Sequence, residues 1–120
     1  MIRLKRVYEK AGPHDGARFL VERLWPRGLR KDQVKMDAWL KDAGPSTELR
    51  KWFSHDPAKW REFRRKYFAE LREMPEAWQP IANAAKNGTV TLLYSSHDEE
   101  HNNAIALKEY VEKKLARGRD

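Results

Sequence analysis

The chain contains no cysteine. Disulfides, thiolate nucleophiles and cysteine-ligated metal sites are therefore excluded. No apolar run approaches the ~20 residues that a bilayer-crossing helix needs. No charged, apolar and small-residue leader pattern opens the chain. The expectation is a soluble, cytoplasmic protein that does not contact membranes. Glycine-rich phosphate loops of the Walker kind, a G-x-G-x-x-G after a strand and a G-x-S-x-G elbow are all missing, so no cofactor can be assigned. Internal repeats, linkers and low-complexity segments are also lacking, and 120 residues form one expected domain, 1–120. What is present is apolar bulk, with five Trp, four Tyr and four Phe in a chain that is 40% hydrophobic, which argues against disorder. The formal charge of +7 favours anionic partners, either small ligands or nucleic acid. A merely solvated basic surface would carry the same charge.

The chain is organised around Thr89 to Val111. Thr89-Val90-Thr91-Leu92-Leu93-Tyr94 is β-branched and apolar, follows Asn87-Gly88, and reads as a strand buried on both faces. Ser95 to Asn103 is strongly polar. Ala104, Leu107, Val111 and Leu115 then recur at helical spacing, with Gly118 as the stop. In open α/β sheets, ligands gather beyond the carboxyl ends of strands. A following helix offers unpaired N–H groups there. Ser95, Ser96, His97, His101 and Asn102 occupy that position. On the competing reading they only turn the corner and cap the helix.

Earlier in the chain, Ile2, Leu4 and Val7 alternate with basic residues as a first strand, and Ala11 to Gly16 is a loop. Ala17 to Trp25 is a second apolar run, ended by Pro26. Arg23, Trp25 and Arg27 put two guanidinium groups and an indole around that strand end, suited to binding and stacking on an acidic ligand. Alternatively Arg23 pairs with Glu22 or Asp37, and Trp25 belongs to the core. Met36 to Ala43 fits either a short strand or a helical turn. Ser46 is an N-cap, counted also among the ligand-binding residues. Leu49, Trp52 and Phe53 form an apolar face from which Arg50 and Lys51 point away.

Asp56-Pro57 starts an amphipathic helix over 57–73. Trp60, Phe63, Tyr67, Leu71 and Met74 make its core stripe, and Lys59, Arg61, Arg64, Arg65, Lys66 and Arg72 its basic face. A last internal helix is expected to begin near Pro80, because proline is costly inside a helix, and to stop at Asn87-Gly88.

These elements imply a small single-domain α/β sandwich of about four mainly parallel strands flanked by helices. Strand order stays open. His97 and His101 are four apart but straddle a turn, and no third ligand is indicated, so no metal centre is expected. The expected site joins His101, Ser95 and Tyr94 as acid–base candidates to Arg23, Trp25, Arg27, Ser46 and Asn102 as ligand-binding residues. Its ligand would be a small anion: a nucleotide, phosphate or carboxylate. The alternative is a nucleic-acid-binding module using the basic face of helix 57–73. Oligomeric state is not legible.

DGARFLVERLWPRGLRK, DAWLKDAGPSTELRKWFSHDPAKWREFRRKY and VTLLYSSHDEEHNNAIALKEYV together resemble the YeaO-like family of domains of unknown function. The resemblance spans nearly the whole chain. Arg-Leu-Trp-Pro-Arg-Gly and Ser-Thr-Glu-Leu-Arg-Lys-Trp-Phe make it specific. It implies the same fold and supplies no activity. Longer relatives in the wider family often place a cysteine at the end of the last strand and a Cys-His-Arg-like run at the next helix. Tyr94 or Ser95 and His101-Asn102-Asn103 stand at those places here, so thiol chemistry is not shared.

Overall fold

Every residue of the strand Val90–Tyr94 is buried, because it lies between two neighbours and under a layer of helices. The computed structural model describes residues 1–118. In chain order the strands are β1 (Ile2–Arg6), β2 (Ala17–Leu20), β3 (Ala38–Trp39) and β4 (Val90–Tyr94). The helices are α1 (Thr47–Phe53), α2 (Trp60–Glu73), α3 (Pro75–Asn87) and α4 (Asn103–Arg117). Sheet order is β1-β4-β2-β3, and every pairing is parallel. Val90 sits opposite both Ile2 and Ala17, and Leu92 opposite Leu4 and Phe19. A small parallel α/β domain is therefore what the sequence folds into.

The register separates the two faces. Ile2, Leu4, Ala17, Phe19, Val90, Leu92 and Tyr94 join one apolar cluster with the buried residues of all four helices. The opposite parity carries Arg3, Lys5, Arg18, Thr91, Leu20 and Leu93. Loops alone supply the cover there: Val7, Val34, Trp25, Leu29 and Met36, with Trp39 of β3, pack on Leu20 and Leu93. Parallel sheets ordinarily carry helices on both faces. Here the connection from β2 to β3 forms no α-helix and lays only a 3-10 turn, Lys31–Gln33, over the sheet.

The loop-covered face holds a buried ion network. Asp15 is 2% exposed. It accepts from Lys5 at 3.1 Å, from the Gly12 N–H at 3.0 Å, and from Arg18. Its backbone carbonyl accepts from the Thr91 hydroxyl. The Gly12 N–H, then Lys5 and Arg18, outweigh the cost of burial and lower the Asp15 carboxyl to about 2. The adjacent Gly16 has φ +66, and a Cβ there would lie 2.0 Å from the Thr89 carbonyl oxygen. Only glycine lets β2 start this close to the start of β4.

Local signals set most boundaries. Ser46 caps α1 by accepting from the Leu49 N–H. Asp56 and Pro57 open a 3-10 turn, Pro57–Lys59, that runs into α2. Met36 to Ala43 satisfies both of its readings, giving strand β3 and then a 3-10 turn, Lys41–Ala43. The expected start of α3 needs correction. The helix begins at Pro75, and Pro80 lies inside it. Ala77, Trp78, Ile81 and Ala82 form a buried face on either side of Pro80. Packing of that face outweighs the one backbone hydrogen bond that proline gives up. No helix among the described residues is long and apolar enough to cross a membrane.

Candidate functional site

A cleft of about 120 Å³ opens where β2 and β4 end. Three segments close it: Glu22, Arg23 and Pro45 near the end of β2; Arg50, Phe53 and His55 from α1 and the turn after it; and Ser95, Ser96, His101, Asn102 and Asn103 between β4 and α4. Phe63 of α2 adds an apolar wall. The parallel sheet makes this convergence unavoidable, since adjacent parallel strands release their chains at the same edge.

The charged groups differ in how far they are engaged. All three nitrogens of the Arg23 guanidinium are bound: Nε to the Pro45 carbonyl at 3.0 Å, Nη2 to the Gly44 carbonyl at 3.0 Å, and Nη1 to Asp42 at 3.3 Å. Arg23 thus clamps the approach to α1 onto the end of β2 and contributes its charge to the cleft rim. The Arg50 side chain has no hydrogen-bond or ion-pair partner among the described residues and lines the same cleft. Glu22 forms the floor. Its Oε1 accepts from the Ser95 N–H at 2.6 Å and from the Ser95 hydroxyl at 3.0 Å. Burial pushes the Glu22 carboxyl above its ordinary value, against the Ser95 hydrogen bonds and the nearby charges of Arg50 and His55.

The two histidines reach the cleft differently. His101 follows Asp98, whose Oδ2 lies 3.0 Å from its Nδ1, and its ring meets the edge of Trp60 at 5.5 Å between centroids. Asp98 is held below its ordinary value chiefly by the Glu100 N–H and secondarily by His101. His55 depends on the backbone. Ser54 and His55 both have positive φ, 46° and 56°, a pair of left-handed residues with no glycine between them. Such residues cost on the order of 1–2 kcal/mol each. The turn they make carries the chain from α1 to Asp56 and leaves His55 at the cleft mouth.

Asn102 is the N-cap of α4. It accepts from the Ile105 N–H, donates to the Asp98 carbonyl and is 3% exposed. Asn103 donates to the Val21 carbonyl at 2.7 Å, tying the helix start to the end of β2. These bonds aim the positive end of a fifteen-residue helix at the cleft.

Of the residues singled out in the sequence, Arg23, Ser95, His101 and Asn102 meet in this cleft, along with Ser96. The others do not. Trp25 donates to the Leu29 carbonyl and packs edge-on against Trp39 on the loop-covered face, 5.2 Å between centroids. Arg27 is exposed on that side, and its carbonyl accepts from Tyr8. The chain leaves the sheet after Leu20, so the strand parity that would have grouped Arg23, Trp25 and Arg27 no longer applies. Tyr94 is in the helix-side core, 5% exposed, where burial raises its phenol. Ser46 faces Glu70 behind the cleft. His97 stands outside, 3.4 Å from Arg6, so it and His101 do not converge.

Sequence reasoning missed Glu22, Arg50, His55 and Asn103. A lone carboxylate inside Phe-Leu-Val-Glu-Arg-Leu-Trp was a usable signal. So was the three-residue spacing of Arg50 and Phe53, which puts them on one helix face. The basic face of α2 is partly neutralised: Arg64 pairs with Glu109 of α4, and Arg65 with Glu62. Lys59 and Lys66 lie over the Trp52 ring.

Fold and cleft together define a small parallel α/β domain with a mixed-charge cavity at the ends of its two central strands. The chain belongs to the family described as the inactive DUF488-N3 subclade, which it matches over residues 1–120. It is 42% identical over 110 residues to the uncharacterized protein YeaO of Escherichia coli K12, covering 92% of this chain and 96% of that protein. An uncharacterized protein of Mycobacterium bovis is 47% identical over 72 residues, covering 60% of this chain and 61% of that protein. A Mycobacterium tuberculosis H37Rv protein, also uncharacterized, matches to the same extent. No solved structure matches.

Proposed function

We propose that the domain binds a small anion, or the acid group of a larger molecule, in the cleft between β2, α1 and α4. The observation that carries this reading is the Arg50 guanidinium, unpaired among the described residues, which shares one cavity with His55, His101 and the first turn of α4. Guanidinium and imidazole groups beside a helix N-terminus recognise phosphate or carboxylate. Arg23 and Asn102 hold the walls in place, and Ser95 and Ser96 line the floor. A volume of about 120 Å³ is well below the ~300 Å³ at which pockets begin to enclose drug-sized ligands. This favours an acid group with a few further atoms over a whole nucleotide.

Binding has more support than turnover. The family's description calls its subclade inactive. The three acid–base candidates also share no hydrogen bond with one another: Tyr94 lies in the core, Ser95 bonds to Glu22, and His101 to Asp98. Nucleic-acid binding by α2 has less support, because Arg64 and Arg65 spend their charge on Glu109 and Glu62.

Thermal unfolding with inorganic phosphate and with acetate tests the reading. At ten times Kd a ligand adds about 1.4 kcal/mol, a shift of about 5–6 °C for a domain of this size. Arg50→Ala is expected to abolish the shift, and Arg61→Ala to leave it intact. An equal response in wild type and Arg50→Ala would refute the cleft as the binding site.

A further inference from the structure

We propose that the cleft selects a small zwitterion, with the ligand's acid group on the Arg50 side and its ammonium group on Glu22. This rests on the anion-binding reading above and names the ligand class of that site. The cavity is not uniformly positive. Glu22 spends one carboxylate oxygen on Ser95, in two hydrogen bonds, and its Oε2 accepts from no donor among the described residues. At the other sign, Arg23 commits three of its five N–H donors to Gly44, Pro45 and Asp42, while the Arg50 side chain has no partner among the described residues. Glu22 and Arg50 are near enough for the charge of one to act on the other, yet they form no ion pair.

A carboxylate with one unbonded oxygen and a guanidinium without a partner among the described residues therefore line the same 120 Å³ of space. A plain anion would satisfy Arg50 and place a second negative charge beside Glu22. A molecule carrying both charges satisfies each end by a charge-assisted hydrogen bond. The space equals about four water volumes, which suits a short carbon chain between the charges. Phe53 and Phe63 supply an apolar wall for that chain.

The test is calorimetric titration of the full chain with glycine, β-alanine and γ-aminobutyrate, each against the carboxylate and the amine of matching length. At least one amino acid is expected to bind roughly tenfold or more tightly than its matched carboxylate, given a second charge-assisted contact. Glu22→Gln is expected to reduce that amino acid to the carboxylate's affinity, with carboxylate binding unchanged or stronger. Arg50→Ala is expected to abolish both. The wild-type ligand series decides the matter alone if Glu22→Gln does not fold. Carboxylates that bind as tightly as every amino acid, or amino-acid affinity that survives Glu22→Gln, would overturn the zwitterion and leave the anion site standing. If neither carboxylates nor inorganic phosphate nor amino acids bind, both readings fall.

Discussion

Gly44→Ala tests the join between fold and cleft. Gly44 is buried and has φ −76 and ψ 159, so alanine meets no backbone strain there. The cost is steric. An added Cβ would lie 2.9 Å from the Arg23 backbone nitrogen and 3.3 Å from both the Glu22 carbonyl carbon and the Val21 carbonyl oxygen. All three are main-chain atoms of the segment leaving β2, and none can swing away as a side chain would. The segments must separate, and the Arg23 bonds to the Gly44 and Pro45 carbonyls must stretch. Overpacking of this kind costs about 1–3 kcal/mol. Unfolding entropy of about 2.1 cal/mol/K per residue gives roughly 0.25 kcal/mol/K for a chain this long, so Tm should fall by about 4–12 °C. Thermal unfolding followed by circular dichroism measures this against Gly88→Ala. At Gly88 the backbone is extended and nothing lies within 4 Å of the added Cβ. That control should stay within about 0.5 kcal/mol of wild type or gain slightly. A Gly44→Ala protein that melts with the wild type would show that this contact is not the constraint described.

Gly16→Ala should be more damaging still, since it combines positive φ with a 2.0 Å approach to backbone; soluble yield and Tm report it, and a wild-type Tm contradicts it. Asp15 ionises more readily folded than unfolded, so its stabilisation is full above the ordinary carboxylate range and is lost as pH falls from about 4 toward 2. Asp15→Asn should cost roughly 3 kcal/mol at neutral pH by leaving Arg18 and Lys5 unpaired, and should flatten Tm against pH in that acid window; an unchanged acid slope would remove Asp15 from the explanation. Pro80→Ala restores a helical N–H on the exposed side of α3 and should raise stability by about 1 kcal/mol; calorimetry showing no gain would mean the helix has already adapted. Tyr110→Phe removes the one buried side-chain polar atom without a partner among the described residues. It should stabilise by about 1 kcal/mol with the rings of Phe68 and Trp78 kept in contact, and destabilisation in urea titrations would point to a missed hydrogen bond.

Much of this architecture was legible because local chemistry decides it. The apolar Val90–Tyr94 run, the Ser46 and Asp56 caps and the Asn87-Gly88 stop each act within a few residues. The meeting of Arg23 with Ser95, His101 and Asn102 was also legible, since it needs only two parallel strand ends at one edge. Trp25 and Arg27 lie outside the cleft for a definite reason: periodicity cannot show that β2 stops at Leu20 and that the chain then crosses to the loop-covered face. His55 was hidden because its direction is set by two left-handed residues, whereas the place of Arg50 beside Phe53 was open to their three-residue spacing. The start of α3 was missed because propensity at Pro80 loses to a buried face whose partners are distant in sequence.

Sheet order carries a consequence for biosynthesis. β1 and β2 are never neighbours, and each pairs with β4. A ribosome-bound chain ending before Val90 would therefore hold β1 without a partner and β2 paired only with the two-residue β3, along with helices whose apolar sides lack the central strand of their platform. Closing loops of that length slows folding and leaves the nascent chain exposed until β4 emerges. Assembly waits on one late segment, and the cavity and the architecture around it become complete in the same event.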